Sequence, residues 1–350
     1  MKQGNTGNTK LLFKLMKELG PSGNEINVRN MIKKEMKKYV DKLYADKFGN
    51  LICLKKGSGT RIMLAAHMDE IGLMVKKIET NGFLRISTVG SLDTISLIGQ
   101  PVVILNDKNK EICKGMISFP QFHDALDITE LPKLEDLYVD AGVDGTTLKR
   151  KGVKIGNYMI PIQSVHQLGS EKIISGKAID DRVGCYALIE LARRLKQIKT
   201  KESIYFVFTV QEEIGMYGAK TAVWNLKPDW GIAVDATTAK DSELRGRCII
   251  GTGPYITIKD ADMIGNRQIN ELLQEIAKEK RIPLQLEVDD YGTTDATSIM
   301  LSREGIPSTT ISVPVRNIHS CAGICNLNDV EYLIQILYHL LIKPQKKYVT

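Results

Sequence analysis

The chain has no long apolar stretch. None of its hydrophobic runs approaches the ~20 residues needed to span a bilayer. The apolar stretch after the amino-terminal lysines is broken at Lys14 and Lys17, so a secretory leader is not expected. Cysteine is sparse: Cys53, Cys113, Cys185, Cys248, Cys321 and Cys325 are too scattered over 350 positions for a disulfide scaffold. Internal repeats and low-complexity segments are absent. Charge of one sign is nowhere concentrated: the formal net charge of +7 is spread along the chain. Its densest basic patch, Lys33-Lys34-Glu35-Met36-Lys37-Lys38, falls on an amphipathic helical pattern and reads as a solvated face, since nucleic-acid-binding domains cluster charge more strongly. The expectation is a soluble, reduced, cytoplasmic protein with neither a membrane nor a nucleic acid as partner.

What is present is an ordinary globular balance, 43% hydrophobic and 25% charged, on a chain long enough for a large core and more than one domain. Apolar positions at helical spacing (Leu11, Leu12, Leu15, Met16, Leu19) stop at Gly20-Pro21-Ser22-Gly23, and a second helical pattern runs from Ile26 to Val40. "DKFGNLICLKKG" and "RIMLAAHMDEIGLMV" read as strands. From about Leu73 to Val165, short strand-like runs alternate with glycine, asparagine and aspartate, and no long helical period appears. Beyond Ile173, strands and helices alternate again. This predicts an α/β fold, a mixed and mostly parallel sheet flanked by helices, interrupted by an inserted small all-β domain. The boundaries read as 1–71 and 168–350 for the two parts of the α/β domain and 72–167 for the insertion.

Sites in open α/β sheets form beyond the carboxyl ends of strands. Five apolar runs lead into polar residues of that kind. "IMLAAHMDE" ends in His67 and Asp69, and "YFVFTVQEE" in Glu212 and Glu213. "WGIAVDAT" carries Asp235, "TTISVPVRNIHS" leads to His319, and "GKAIDDRVGC" sets Asp180 and Asp181 before a helix. Singly, each has a structural explanation: Asp181 as a helix N-cap, Asp235 as a turn start, His67 as a hydrogen-bonded core histidine. Jointly they form an imidazole and carboxylate shell that suits Zn²⁺, Co²⁺ or Mn²⁺. Five ligands fit two ions if one carboxylate bridges. Glu212 and Glu213 point to opposite sides of an extended chain, so one is expected to bind metal and the other to move protons.

The chain resembles the dinuclear metallo-aminopeptidases of the glutamyl, deblocking and tetrahedral aminopeptidase family. The resemblance rests on "AAHMDEIGLMV", "GKAIDDRVGCYALIEL", "VFTVQEEIGMYGAKTA", "AVDAT", "TTDATSI" and "SVPVRNIHS", in the family's order across almost the whole chain, with "GPSGNE" and "DKFGNLI" before them. It implies metal ligation by His67, Asp180, Glu213, Asp235 and His319. Asp180 would bridge two divalent ions, and its peptide link to Asp181 would be cis. Glu213 would serve the ion facing His319, and Asp235 the ion facing His67. Asp69 would hold the His67 ring, and Glu212 would be general base and then acid. The family also implies that the insertion dimerises, and that dimers build into a hollow twelve-subunit homo-oligomer. In one departure, Cys321 follows the His319-Ser320 pair where the family usually has proline, with Cys325 nearby, opening the reading of a redox-sensitive thiol beside the metals. A second partial match, around His123, assigns that residue no role. A helix-start aspartate is expected at Asp295 in any case.

The function these readings imply is a metal-dependent aminopeptidase acting on short peptides. The alternatives are a glycosidase, since some relatives carry endoglucanase or cellulase labels, and a catalytically silent binding protein on the same fold. Loops around 250–265 and 318–327 are expected to shape the substrate pocket. Positive charge at Arg245, Arg247, Lys259 and Arg316 would favour acidic substrate side chains if it faces that pocket.

Overall fold

A computed structural model describes residues 9–119, 131–242 and 248–342. The chain opens with helices α1 (Thr9–Lys17) and α2 (Ile26–Met36), followed by strands β1 (Lys42–Ala45), β2 (Leu51–Lys55) and β3 (Arg61–His67). The next stretch holds β4 (Gly72–Ile78), β5 (Leu84–Val89), α3 (Thr94–Leu97), β6 (Pro101–Leu105), β7 (Glu111–Ser118), β8 (Tyr138–Asp140), α4 (Gly145–Lys151) and β9 (Tyr158–Pro161). Then come β10 (His166–Gln167), β11 (Ile173–Gly176), α5 (Ile179–Leu195), β12 (Ser203–Thr209), α6 (Tyr217–Leu226), β13 (Trp230–Thr238) and β14 (Tyr255–Lys259). The remainder is α7 (Arg267–Lys280), β15 (Gln285–Val288), α8 (Asp295–Met300), β16 (Ser308–Arg316), β17 (Gly323–Asn326) and α9 (Leu327–Ile342).

Eleven strands form one mixed sheet with the central order β2-β12-β3-β13-β16-β17. Its middle, β12-β3-β13-β16, is parallel, and antiparallel strands extend both sides. The parallel strands are buried on both faces, which is why they read as unbroken apolar runs rather than alternating ones. Period-two alternation still sorts their side chains. Ile62, Leu64 and Ala66 of β3 join the larger core with α1, α2, α5, α7 and α9, whereas Met63 and Ala65 pack on the other face with Ala222, Val223 and Ile299 of α6 and α8. No helix among the described residues is long and apolar enough to cross a membrane.

Strands β4 to β9 close into an antiparallel barrel with its own apolar core, including Leu73, Ile86, Val102, Ile104, Ile117, Val139 and Met159. The sequence anticipates strands β4 to β8 but not β9, α3 or α4. Each helix is under two turns or barely that, and each is fixed locally by an aspartate: Asp93 accepts from the Ile95 N–H and Asp144 from the Thr147 N–H. The barrel leaves the sheet right after β3, so the carboxyl end of β3, carrying His67 and Asp69, lies at the junction between the two units.

Candidate active site

Strands β12 and β3 end at the same level, and β13 runs on past Asp235 to Thr238. Thr209, the last residue of β12, pairs with His67, the last of β3, and Asp235 of β13 pairs with Ser312 of β16. His67 and Asp235 are both buried, at 2% and 6% exposure. All six predicted ligand and base residues converge here. His67 Nε2 lies 3.0 Å from Asp180 Oδ1, 3.7 Å from Asp235 Oδ1 and 3.9 Å from Glu212 Oε2. His319 Nε2 lies 3.3 Å from Asp180 Oδ2 and 3.6 Å from Glu213 Oε2. The two oxygens of Asp180 thus face two different imidazoles. The Asp180–Asp181 peptide is cis.

Asp69 sits behind His67, fully buried, with Oδ1 in loose contact at 3.4 Å from Nδ1. It also accepts from Ser22 Oγ at 2.7 Å and from the Glu212 and Glu213 N–H groups at 3.1 and 3.2 Å. Two further side chains continue the pattern. Asn50 Oδ1 accepts the Val210 N–H at 3.1 Å, and Glu25 Oε1 accepts the Gln211 N–H at 3.1 Å. Four consecutive backbone donors, from Val210 to Glu213, are therefore held by three side chains. The backbone here leaves ordinary conformations: Gln211, Met216, Ala178 and His319 all have φ between 53° and 56°. Such residues persist where the surroundings over-determine them.

The electrostatics show what the cluster lacks. Burial pushes Glu213 up to about 8, with Asp180 adding repulsion, and Asp235 up to about 7. Burial also lifts Glu212 well above the carboxylate range; His67 opposes this, while Asp235, Asp295 and Glu213 reinforce it. Asp180 behaves oppositely: burial would raise it, but hydrogen bonding to His319 and His67 holds it well below its usual value. Hydrogen bonding to Asp180 is also the main reason His319 rises to about 9. Among the described residues, no lysine or arginine pairs with any of these six side chains. The donor set fits divalent cations. His67, Asp180 and Glu213 offer ligand atoms within 4.8 Å of one another, and so do His67, Asp181 and Asp235.

Three residues play larger parts than the sequence suggests. Asp181 accepts the Gly184 N–H at 2.9 Å, as a helix cap would, yet its Oδ2 is buried without a partner beside the cluster. Asp295 is the first residue of α8, but Thr294 is the cap; the Asp295 carboxylate turns inward to accept from Thr209 Oγ1 at 2.6 Å. Glu25 lies in the "GPSGNE" stretch, and its backbone partner is 186 residues away. That separation is why local pattern could not reveal it.

Other expectations resolve differently. His123, Arg245 and Arg247 lie outside the described residues. Arg316 forms a two-pronged pair with Asp241 at 2.6 and 2.7 Å, and Lys259 bonds Asp290 at 2.9 Å; neither lines the site cavity. Burial raises the Cys321 thiol to about 11 and pushes Cys325 higher still, so neither offers a thiolate at neutral pH.

A buried cluster of carboxylates and imidazoles at the strand ends of an α/β sheet, with an inserted barrel, is the class of peptidase that fold and site define. Residues 49–336 match the M42 glutamyl aminopeptidase family, and the chain belongs to it. A protein of Acetivibrio thermocellus with a provisional aminopeptidase name is 40% identical over 334 residues, covering 93% of this chain and 97% of that one. The lysyl aminopeptidase of Pyrococcus furiosus is 33% identical over 345 residues, covering 96% and 97%. Among solved structures, an aminopeptidase from Desulfurococcus kamchatkensis superposes with a TM-score of 0.92 at 34% identity, covering 97% and 96%. The TET1 peptidase of Pyrococcus horikoshii, which can assemble into a tetrahedron or a large octahedral shell, gives 0.87 at 30% identity, covering 96% and 99%. A Thermotoga maritima structure called an endoglucanase gives 0.77 at 33%, covering 94% and 96%. The chain is an aminopeptidase, a hydrolase acting on peptide bonds.

Proposed function

We propose that this aminopeptidase removes the amino-terminal residue of short peptides with two divalent ions and a glutamate that transfers protons. The observation that carries the reading is Asp180, whose two oxygens lie 3.0 and 3.3 Å from the Nε2 atoms of His67 and His319. A carboxylate so placed would serve as a ligand shared by both ions. His67 with Asp235 would complete one ion's shell, and His319 with Glu213 the other. Zn²⁺ or Co²⁺ suits this mixture of imidazole and carboxylate, and Mn²⁺ is accepted by the same donors. Bound there, the ions would acidify a water and polarise the scissile carbonyl.

The chain's own residues supply the rest. Among the described residues, Glu212 pairs with no side chain besides its 3.9 Å approach to His67, which leaves its carboxylate free for proton transfer. It takes the proton of the attacking water and returns it to the leaving amine. Asp69 fixes the His67 ring and the Glu212 backbone together, so acceptor and ligand keep their spacing through the reaction.

The barrel, within residues 72–167, is the dimerisation unit in this reading, set between catalytic segments 1–71 and 168–350. Further assembly toward a dodecamer is supported by the behaviour of the Pyrococcus horikoshii peptidase. Six free cysteines suit a reducing cytoplasm. The test is hydrolysis of aminoacyl-p-nitroanilides by protein stripped with chelator and then resupplied with Zn²⁺, Co²⁺ or Mn²⁺. Release restored by metal is expected. Activity that survives chelation would remove the metal from the mechanism, and no release with any metal alongside cleavage of a glycoside substrate would favour a carboxylate-pair glycosidase scheme.

A further inference from the structure

The metal-site cluster opens into a cavity of about 570 Å³ whose far wall holds Thr237, Thr257, Asp260, Glu287 and Asp289. Among the described lining residues, Lys240 is the sole lysine or arginine, and its ammonium is already bonded to Asp289. Among the described residues, neither Asp260 nor Glu287 forms an ion pair, although Lys259 and Lys240 act on them from further off. Asp260 is 6% exposed; its Oδ1 accepts the Asp262 and Met263 N–H groups at 2.9 and 2.7 Å, and its Oδ2 has no partner. Glu287 meets only the Thr237 hydroxyl, 3.2 Å from each oxygen. Lys259, next in sequence to Asp260, donates to the Asp260 and Asp289 carbonyl oxygens at 3.2 and 3.1 Å and pairs with the Asp290 carboxylate at 2.9 Å, leaving the Asp260 carboxylate unpaired.

The position of this acid pair relative to the reaction centre follows from the strands. Asp235 and Thr237 are two residues apart on β13 and so share a face. That step advances about 7 Å, and Thr237 then touches Glu287. Thr257 of β14 pairs directly with Glu287 of β15, which closes the wall. The separation suits the tip of a long side chain and not a short one. The pair does not itself make a metal site: among the described residues, the carboxylate and histidine groups close enough to share an ion are those at His67.

We propose that this wall is the specificity pocket and that it selects a long cationic amino-terminal side chain, lysine or arginine, with Glu287 and Asp260 as the recognising carboxylates. The inference rests on the aminopeptidase reading. It reverses the preference for acidic side chains that the basic residues of this region suggest in the sequence. Charge-assisted bonds to a desolvated carboxylate are about twice as strong as neutral ones. A neutral side chain of equal length would leave the buried Asp260 and the half-buried Glu287 without a charged partner, and an acidic one would add repulsion.

Two measurements test this separately from turnover. The first is calorimetric binding of L-lysine, L-norleucine and L-glutamate to metal-loaded wild-type protein. Norleucine keeps the apolar stem of lysine but lacks the ammonium. Lysine is expected to bind at least tenfold more tightly than norleucine, with glutamate weakest, and Glu287→Gln should reduce the lysine-to-norleucine ratio severalfold. Equal or better binding of norleucine or glutamate by wild-type protein overturns the proposal. The second is the ratio of kcat/KM for lysyl- and arginyl-p-nitroanilide against the leucyl and glutamyl substrates. A lysine or arginine preference of tenfold or more supports the pocket; a leucyl or glutamyl preference overturns it. If every substrate is inert while lysine still binds selectively, the aminopeptidase reading fails and the cation pocket stands.

Discussion

Asp69 Oδ1 accepts the Glu212 N–H at 3.1 Å while facing His67 Nδ1 at 3.4 Å. One carboxylate therefore stands between a histidine proposed as a ligand and the backbone of the residue proposed to transfer protons. Asp69→Asn keeps one oxygen acceptor but loses the charge and one acceptor site. Metal affinity is expected to fall roughly 10–100-fold, measured by titrating chelator-stripped protein with Zn²⁺. Unchanged affinity would mean that Asp69 serves the backbone alone.

Glu212→Gln preserves shape and removes the proton acceptor. The variant should retain its full metal complement by elemental analysis while kcat falls by about 100-fold or more, the usual worth of a general base. Wild-type turnover in this variant would end the assignment.

Asp180→Ala addresses the bridge. With the oxygens near both His67 and His319 gone, the variant is expected to lose metal, and activity with it. A full complement of two ions per subunit in the purified variant would contradict bridging.

Gly218 tests the scaffold behind the site. An added Cβ would stand 2.3 Å from the Val210 carbonyl oxygen and 2.5 Å from Asn50 Oδ1, both of which belong to the network that seats the 210–213 segment. Neither atom is a flexible side-chain end free to swing away. Gly218→Ala should destabilise the protein by about 1–3 kcal/mol, as overpacking does, and depress kcat although residue 218 touches no substrate. A melting temperature equal to wild type would show that α6 shifts without cost.

Much of this molecule was legible in advance. The parallel core strands announced themselves as apolar runs, and the polar residues directly after them proved to be the ones that converge. Other elements gave weaker signals. β15 is four residues long with alternating half-exposed positions, and β10 is two residues long; such edge pieces are fixed by their neighbours rather than by their own pattern. α2 ends at Met36 although the apolar spacing runs on to Val40, because Lys37 to Tyr39 form a turn that still packs inward. In the site, ligand residue types could be read from chemistry, but the partners of backbone groups could not. Asn50, Glu25 and Asp69 find donors 143 to 186 residues away, and nothing local encodes such a pairing. Which basic residues face the cavity could not be read for the same reason: that Arg316 pairs with Asp241 and Lys259 with Asp290 is a property of the folded chain.

The three side chains that seat residues 210–213 come from three separate stretches: Glu25 before α2, Asn50 before β2 and Asp69 after β3. Two of the three stretches contribute no metal ligand in this scheme. Activity is thus a gauge of the amino-terminal quarter's integrity. A local opening there, by heat, denaturant or a protease cut near residue 48, should silence the enzyme while it still holds its metals. Inactivation ahead of metal loss is the order of events this architecture dictates.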